Sequence, residues 1–574
     1  MRTTKRGFGR VLLLLTIGAM VGALLAVPAG AEPTEGTDEA TVASRIPRAR
    51  NVRLQILAIN DFHGNIATTG TWLGQSVGRA DFLATYIRES QATVRNSIMV
   101  SAGDLIGASP LISALFHDEP TIEAMNLIGL EINAVGNHEF DEGPDELLRM
   151  QNGGSHPVDG DLDGDGFAGA DFDFLAANVV VDATGDTLFP PYTVEVYDGI
   201  PVAFIGMTLE ATPTIVTQSG VEGLTFMDEV ETVNALVPEL RKDGIEAFVI
   251  LLHEGGFSDG GPEGDECSVL TGPLAEIVPA FHDAVDLVIA GHVNDEFACE
   301  VDGIWVTMAD NAGRLFTDID VVLNRSNWEL RVVAIDNTPT YQAGVTPAAD
   351  LTALIDKYDA LSAPLANAVI GSITADITRT QNTAGESALG DVIADAQLAA
   401  TEAVGTGEAV AAFMNPGGIR ADLTYLSSDA GEGDGNVTYG EAFTVQPFGN
   451  SLVTMTLTGA QIETLLEQQW EGNVEGGRIL QVSDGFTYTW DAAAPIGDRV
   501  DPDTIAIDGV TVDPAAGYRV TVNSFLAGGG DLFPVLIEGT DRLGGEIDLD
   551  ALVTYFGANS PVAPGPQDRI TRLN

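Results

Sequence analysis

The chain has 574 residues, 84 acidic against 26 Lys and Arg, and a net charge of −58. That length exceeds a single hydrophobic core, so two or three domains are expected. A hydrophobic content of 45% excludes a disordered chain, and the charge argues against nucleic acid as a partner. Small phosphates are repelled at long range as well, so any phosphate site must bring its own cations.

In chain order, Arg2, Lys5, Arg6 and Arg10 precede the mostly apolar stretch Val11–Val27 and the small residues Ala29-Gly30-Ala31. This is the pattern of a secretory signal over residues 1–31, cleaved near Ala31. A membrane anchor is the alternative. The stretch is short, is interrupted by Gly18 and Gly22 and ends at Pro28, so cleavage is expected and no stable membrane anchor. The mature protein is then secreted, extracellular or periplasmic. Residues 32–50 are polar and predict a disordered leader.

From Arg53 onward, apolar runs alternate with amphipathic stretches. The runs are Leu54–Ile59, Ile98–Val100, Ile132–Val135, Val179–Val181, Val202–Gly206, Ala247–Leu252 and Val285–Ala290; Asp81–Glu89 and Glu229–Arg241 read as helices between them. The alternation predicts an α/β domain over 51–340. The pattern breaks at Asn337–Ala349 and a helix is expected over Asp350–Leu361, giving a linker over 341–365. A second domain, 366–574, has a helix at Leu389–Ala400, strands at Ser451–Leu457 and Tyr518–Val522, and a Gly/Asp/Glu-rich loop at 429–435. Cys267 and Cys299 are the only cysteines; in an exported chain one disulfide is expected, with a thiolate metal site the weaker reading.

Polar clusters follow the apolar runs directly. Asp61 and His63 follow the first, Asp104 the second, Asn137, His138 and Asp141 the third. His253 follows Ala247–Leu252, and His292 and Asn294 follow Val285–Ala290. Strand ends in α/β sheets are where ligand sites collect. One Asp-x-His is more often a satisfied turn, but five clusters in register argue against coincidence. Carboxylate, imidazole and amide oxygens suit Zn, Mn or similar divalent ions. One carboxylate can bridge two such ions, which would also supply the positive charge the chain lacks.

The blocks "NDFHGN", "SAGD", "GNHEFD", "LLH" and "GHVN" resemble those of the calcineurin-like metallophosphoesterases. In the second half, "GESALGDVIADA" (385–396), "MNPGGIRADL" (414–423), "QPFGN" (446–450) and "NSFLAGGGDLF" (523–533) resemble the 5′-nucleotidase family. That family includes the bacterial periplasmic UDP-sugar hydrolase and the animal ecto-5′-nucleotidase. The resemblance implies an N-terminal four-layer α/β/β/α sandwich joined by a linker helix to a C-terminal α+β nucleotide-binding domain. It implies two divalent metal ions, one held by Asp61, His63, Asp104 and Asn294, the other by Asp104, Asn137, His253 and His292. Many relatives in the wider superfamily have histidine where this chain has Asn294, and a non-ligating amide beside the site is the alternative there.

His138 and Asp141 match the catalytic pair. Phe448 and Phe525 match aromatics that sandwich the base; either alone would more often be core. Asn415 and Arg420 match substrate contacts and Asp531 a ribose contact. Arg379 matches a phosphate-binding arginine, although the local pattern departs from the animal enzyme and a surface ion pair is the default for a lone arginine. The implied activity is phosphate release from nucleotides by a metal-activated water, with the second domain rotating to carry substrate to the metals. A 2′,3′-cyclic-nucleotide phosphodiesterase or UDP-sugar pyrophosphatase on the same site, and a non-catalytic nucleotide-binding surface protein, are the alternatives. "DLDGDG" at 161–166 resembles half a calcium loop through Asp161, Asp163 and Asp165, but Phe172 stands where the closing glutamate belongs. A calcium ion and a solvated acidic turn are both open there.

Overall fold

The computed structural model describes residues 51–574 except 261–266, 268, 427–430 and 474–475. The expected signal segment and leader lie outside the described residues, as do the first two positions of the 429–435 loop. In the N-terminal half, two six-stranded sheets stack face to face. The first runs Leu330–Pro339, Leu315–Asn324, Asn51–Ile59, Ser97–Ser101, Ile132–Ala134, Asp173–Leu175 from edge to edge. The second runs Glu296–Val301, Ile304–Ala309, Leu287–Ala290, Phe248–His253, Ile200–Thr208, Tyr192–Tyr197.

Strand parity explains why the central strands are apolar throughout, since successive side chains point to opposite faces. Leu54, Ile56 and Ala58 meet Val249, Leu251 and Ile289 between the sheets. Leu57 and Ile59 instead face the helices Ala80–Gln91 and Glu119–Ile128. Phe248, Ile250 and Leu252 face the helix Glu229–Lys242 through Val233, Val237 and Leu240. The result is the four-layer α/β/β/α order. The antiparallel strands Leu315–Asn324 and Leu330–Pro339 extend the first sheet at one edge, beyond the expected set. Cys267 and Cys299 are joined by a disulfide, Cα–Cα 5.0 Å, which ties residue 267 to the edge strand Glu296–Val301 of the second sheet.

The linker helix spans Ala349–Ala366 and buries Leu351 and Ile355 against the outer core of the first sheet. Beyond it, a five-stranded sheet runs Gln481–Val482, Ala411–Met414, Gly517–Asn523, Ser451–Thr458, Thr540–Ile547. One core packs on it through Ile462, Leu465 and Leu466 of the helix Gly459–Glu467. A second core joins the helices Ala388–Thr401 and Asp548–Asn559 through Leu389, Ile393, Leu552 and Phe556. The serine of "GES", Ser387, caps the first of these by accepting from Gly390 N–H at 3.1 Å. The sheet is mostly antiparallel, with one parallel pair between Ala411–Met414 and Gly517–Asn523, as in an α+β domain.

Candidate active site

Parallel pairing aligns the C-terminal ends of the central strands in both sheets. Asn51–Ile59 pairs in parallel with Ser97–Ser101, which pairs in parallel with Ile132–Ala134. Phe248–His253 does the same with Leu287–Ala290. The polar clusters after these strands therefore converge. Asp104 is common to two groups, Asp61 with His63 and His253 with His292; within each, the ligand-type atoms lie within 4.8 Å of one another.

The histidine orientations follow from their partners. His63 Nδ1 lies 3.0 Å from the Gly107 carbonyl and His253 Nδ1 lies 2.8 Å from the Ala102 carbonyl. A carbonyl only accepts, so each Nδ1 carries a hydrogen and each Nε2 is turned toward the carboxylates. His63 Nε2 then faces Asp61 Oδ1 at 3.8 Å and Asp104 Oδ2 at 3.7 Å. His253 Nε2 is buried 3.0 Å from Asp104 Oδ2; burial opposes charging His253, yet Asp104 and Asp61 push it up to about 10, so a proton or a metal cation lies between the two atoms. At neutral His63 the lone pair faces two carboxylates, which is repulsive unless a cation lies between them. The residues fit a divalent ion on that observation. Burial pushes His63 down to about 3 and His292 down to about 4, which keeps both in the neutral form that ligates. Burial alone would raise Asp104, but His253, His138 and His63 pull it below the carboxylate range.

Asn137 is buried, and its Oδ1 lies 3.0 Å from His292 Nδ1. The His292 backbone N–H donates to both oxygens of Asp61 (3.1 and 2.9 Å), coupling the two groups. Asn294 is exposed two residues further on. His138 Nδ1 bonds Asp141 Oδ2 at 2.8 Å, and His138 N–H donates to Asp104 Oδ1 at 2.9 Å. Burial opposes charging His138, yet Asp141 and Asp104 raise it above the ordinary histidine value. It is thereby poised to carry a proton.

The site also uses a residue that sequence reading passed over. Glu139, inside "GNHEFD", is buried and accepts from the backbone N–H of Asp104 (2.9 Å), Leu105 (2.9 Å) and Gly136 (2.6 Å). One carboxylate thus ties the loop after the second strand to the loop after the third. Burial, with Asp104 adding to it, pushes Glu139 up to about 7. The loops come so close that a Cβ on Gly136 would stand 2.2 Å from Asp104 Oδ1. The signal was an acid beside His138 in a turn that needed none.

Across the site lies a cavity of about 200 Å³, lined from one side by Asn137, His138, Asp141, His292 and the 215–217 loop. The other side is Asn415, Gly417, Gly418, Arg420, Phe448, Asn450, Asn523, Phe525 and Asp531. Phe448 stacks on His138 with ring centroids 5.6 Å apart and planes 13° apart, and the Arg420 guanidinium lies 5.7 Å from the Phe448 ring centre. Asn415 Nδ2 donates to Asp531 Oδ2 at 2.8 Å, and Asn523 Nδ2 donates to Asn415 Oδ1 at 3.1 Å. A Cβ on Gly530 would stand 2.4 Å from the Phe525 ring, so glycine lets that ring lie flat on the backbone. Arg379 is exposed, donates to the Ile419 carbonyl and is near enough to Arg420 to help depress it, after burial. Ile215, Val216, Thr217, Asn450 and Asn523 were not singled out from sequence; loop shape alone brings the first three here.

The "DLDGDG" aspartates do not surround a common point with the other site residues. Asp161 Oδ1 accepts from Gly164 N–H (2.7 Å), while Lys357 Nζ donates to Asp163 (2.7 Å) and Asp165 (3.0 Å). Asp163 and Asp165 also group with Glu123, which could hold a cation, and the ammonium of Lys357 from the linker helix lies among the same three carboxylates.

A calcineurin-like phosphoesterase model matches residues 54–295, and a 5′-nucleotidase C-terminal domain model matches 369–538. The chain is 32% identical over 531 residues to Endonuclease YhcR of Bacillus subtilis, covering 91% of this chain and 41% of that protein. It is 32% identical over 551 residues to the cell wall protein Lmo0130 of Listeria monocytogenes, covering 91% and 68%. The chain belongs to the 5′-nucleotidase family. Among solved structures it is similar to the 5′-nucleotidase precursor of Thermus thermophilus, with TM-score 0.71, 26% identity, and 91% and 100% of the two chains covered. By family the chain is a metal-dependent phosphoester hydrolase built on the expected two-domain α/β architecture. It spans 41% of the length of YhcR and 68% of that of Lmo0130.

Proposed function

We propose that the chain hydrolyses nucleoside phosphates of the 5′-nucleotidase type, outside the cell, with two divalent ions such as Zn or Mn. Asp61, His63, Asp104 and Asn294 would hold one ion, and Asp104, Asn137, His253 and His292 the other. The observation that carries the reading is one cavity bounded by Asn137, His138 and His292, the last a member of the Asp104 cluster, on one side and by Phe448, Phe525, Asn415 and Asp531 on the other. It has a phosphate end and a base end, as a nucleotide does.

When bound, the ions supply Lewis acidity and lower the pKa of a coordinated water. The chain's own residues supply the rest. Arg420 brings a fixed positive charge to a strongly acidic molecule at the phosphate end. Asn137 offers an amide donor to a phosphoryl oxygen. His138, held by Asp141, delivers its proton to the leaving ribose oxygen. Phe448 and Phe525 offer flat faces to the base, which tolerates different bases at roughly 1–3 kcal/mol each. The basic and apolar leader of the sequence supports export, as does a relative named a cell wall protein. No helix of the described residues is long and apolar enough to cross a membrane.

A second reading, phosphodiester cleavage, is favoured by the relative named an endonuclease. The net charge of −58 weighs against a long polyanion. Cleavage products should be separated and quantified for AMP, ADP, UDP-glucose, a 2′,3′-cyclic nucleotide and single-stranded DNA, after chelation and re-addition of single metals. The proposal expects AMP to be cleaved fastest, and only with metal restored. Fastest cleavage of the cyclic nucleotide or DNA would replace it with the second reading.

A further inference from the structure

A second grouping of metal-ligating side chains lies apart from the Asp104 cluster. His117, Glu142, Glu146 and His156 each place one ligand-type atom within 4.8 Å of the others. They come from three places: the turn after Leu111–Ala114, the segment running from Asp141 into the helix Pro144–Asn152, and the loop beyond it. His117, Glu146 and His156 are largely buried, with side chains 17%, 10% and 13% exposed, and Glu142 closes the outer side. We propose that these four residues form a further divalent-cation site, of the kind taken by zinc and similar imidazole-preferring ions.

Charge is the first argument. Glu142, Glu146 and Asp159 converge on two imidazoles, and the guanidinium beside them, Arg149, is shared between Glu146 and Glu119. The two imidazoles stack at 3.7 Å with planes 15° apart, so charging both would set two cations face to face. One charge on His117, whose two ring nitrogens both face carboxylate oxygens, leaves acid in surplus, and a divalent ion in place of that proton adds the missing charge. Chemistry is the second argument. Two histidines and two carboxylates are a zinc-type donor set, whereas calcium and magnesium prefer oxygen alone. A tetrahedral ion with ligands at about 2.1 Å separates its ligand atoms by roughly 3.4 Å, so closure asks for movements of about 1 Å. Arg149 fixes Glu146 from behind through Nε and Nη2. His117 donates from Nδ1 to Glu142 (2.9 Å) and from Nε2 to Asp159 (3.0 Å), so the ion would take the place of one of these hydrogens, the proton leaving to solvent.

Access and placement are the third argument. A cavity of about 80 Å³ connects His117, Glu142 and Glu146 to His138, Asp141 and Phe448. Glu142 follows Asp141 directly, and Asp118, next to His117, accepts from Gly107 N–H at 3.0 Å. The Gly107 carbonyl is the partner of His63 Nδ1. An ion here would steady both the catalytic pair and a ligand of the Asp104 cluster.

The test is zinc-edge anomalous diffraction from crystals of the full chain saturated with zinc, paired with metal counting in solution. A peak bounded by His117, Glu142, Glu146 and His156 is expected, with one zinc per chain fewer in the His117→Gln/His156→Gln double variant. Peaks at the Asp104 cluster should persist in that variant, which separates this site from the catalytic one. Absence of the peak at saturation, or an unchanged zinc count in a folded double variant, overturns the proposal. Should the double variant fail to fold, wild-type diffraction decides alone. Loss of the Asp104 peaks in wild type would sink the proposed function and leave this site to be judged separately.

Discussion

Asp61, His63, Asp104, His292 and Asn294 all hold their backbones at positive φ, between 47° and 81°. Each such residue costs on the order of 1–3 kcal/mol, and the surrounding pairing of strands must hold them there. The left-handed turn is what lets side chains one or two residues apart aim at one point instead of opposite faces. His138 spends no such strain; its position rests on Asp141 and on the Asp104 carboxylate. His138→Ala should bind metal as wild type does while kcat falls about 10²–10⁴-fold, as loss of a general acid predicts. Metal counting beside AMP turnover checks both halves. Glu139→Gln leaves one of three backbone N–H groups without its acceptor, so metal affinity should fall about 10–100-fold. A metal titration showing unchanged affinity would remove Glu139 from the positioning of Asp104.

Among the elements, the second sheet offers two tests far from the metals. Asp286 precedes the strand Leu287–Ala290 and accepts from Phe248 N–H at 3.0 Å. Burial pushes its carboxyl up to about 7. A raised carboxyl binds its proton more tightly in the folded chain, so its stabilisation is complete below about pH 4 and is lost as pH rises through 7. Asp286→Asn keeps the acceptor and removes the titration. The Tm of the variant relative to wild type should therefore be higher at pH 8 than at pH 5, by about 1–2 °C. Equal offsets at both pH values would contradict this. The disulfide closes a loop with a sequence separation of 32 and ties the edge strand Glu296–Val301. Cys267→Ser/Cys299→Ser should lose about 3–4 kcal/mol in denaturant unfolding, by restricting the unfolded chain less.

For the whole molecule, the decisive feature is a cavity whose walls come from both halves. Phe448 lies on His138 where the two walls meet, so parting of the halves is the expected step in substrate exchange. The turns Thr212–Thr214 and Gly530–Leu532 pack together across this boundary. Cysteines placed at Thr214 and Leu532 should, once oxidised, cut AMP turnover at least about 10-fold, with recovery on reduction. Full turnover in the oxidised form would show that exchange needs no opening.

The polar clusters at the strand ends could be read in order because each is local: an apolar run stops, and an acid or imidazole follows within a few residues. The helices Ala80–Gln91, Glu229–Lys242 and Ala388–Thr401 were legible for the same reason, through their periodicity. The family-bearing blocks carried the pairing of two halves and the likeness of Phe448 and Phe525 to a base clamp. Other features depended on distance in space. Glu139 bonding Asp104, 35 positions away, has no periodic trace, and neither has Lys357 bonding Asp163, 194 positions away. The pairing of His117 with His156 is a further case, visible only once a helix and two loops are packed. Local chemistry is written along the chain, whereas which charges meet is settled by sheet pairing and layer packing that short windows do not contain.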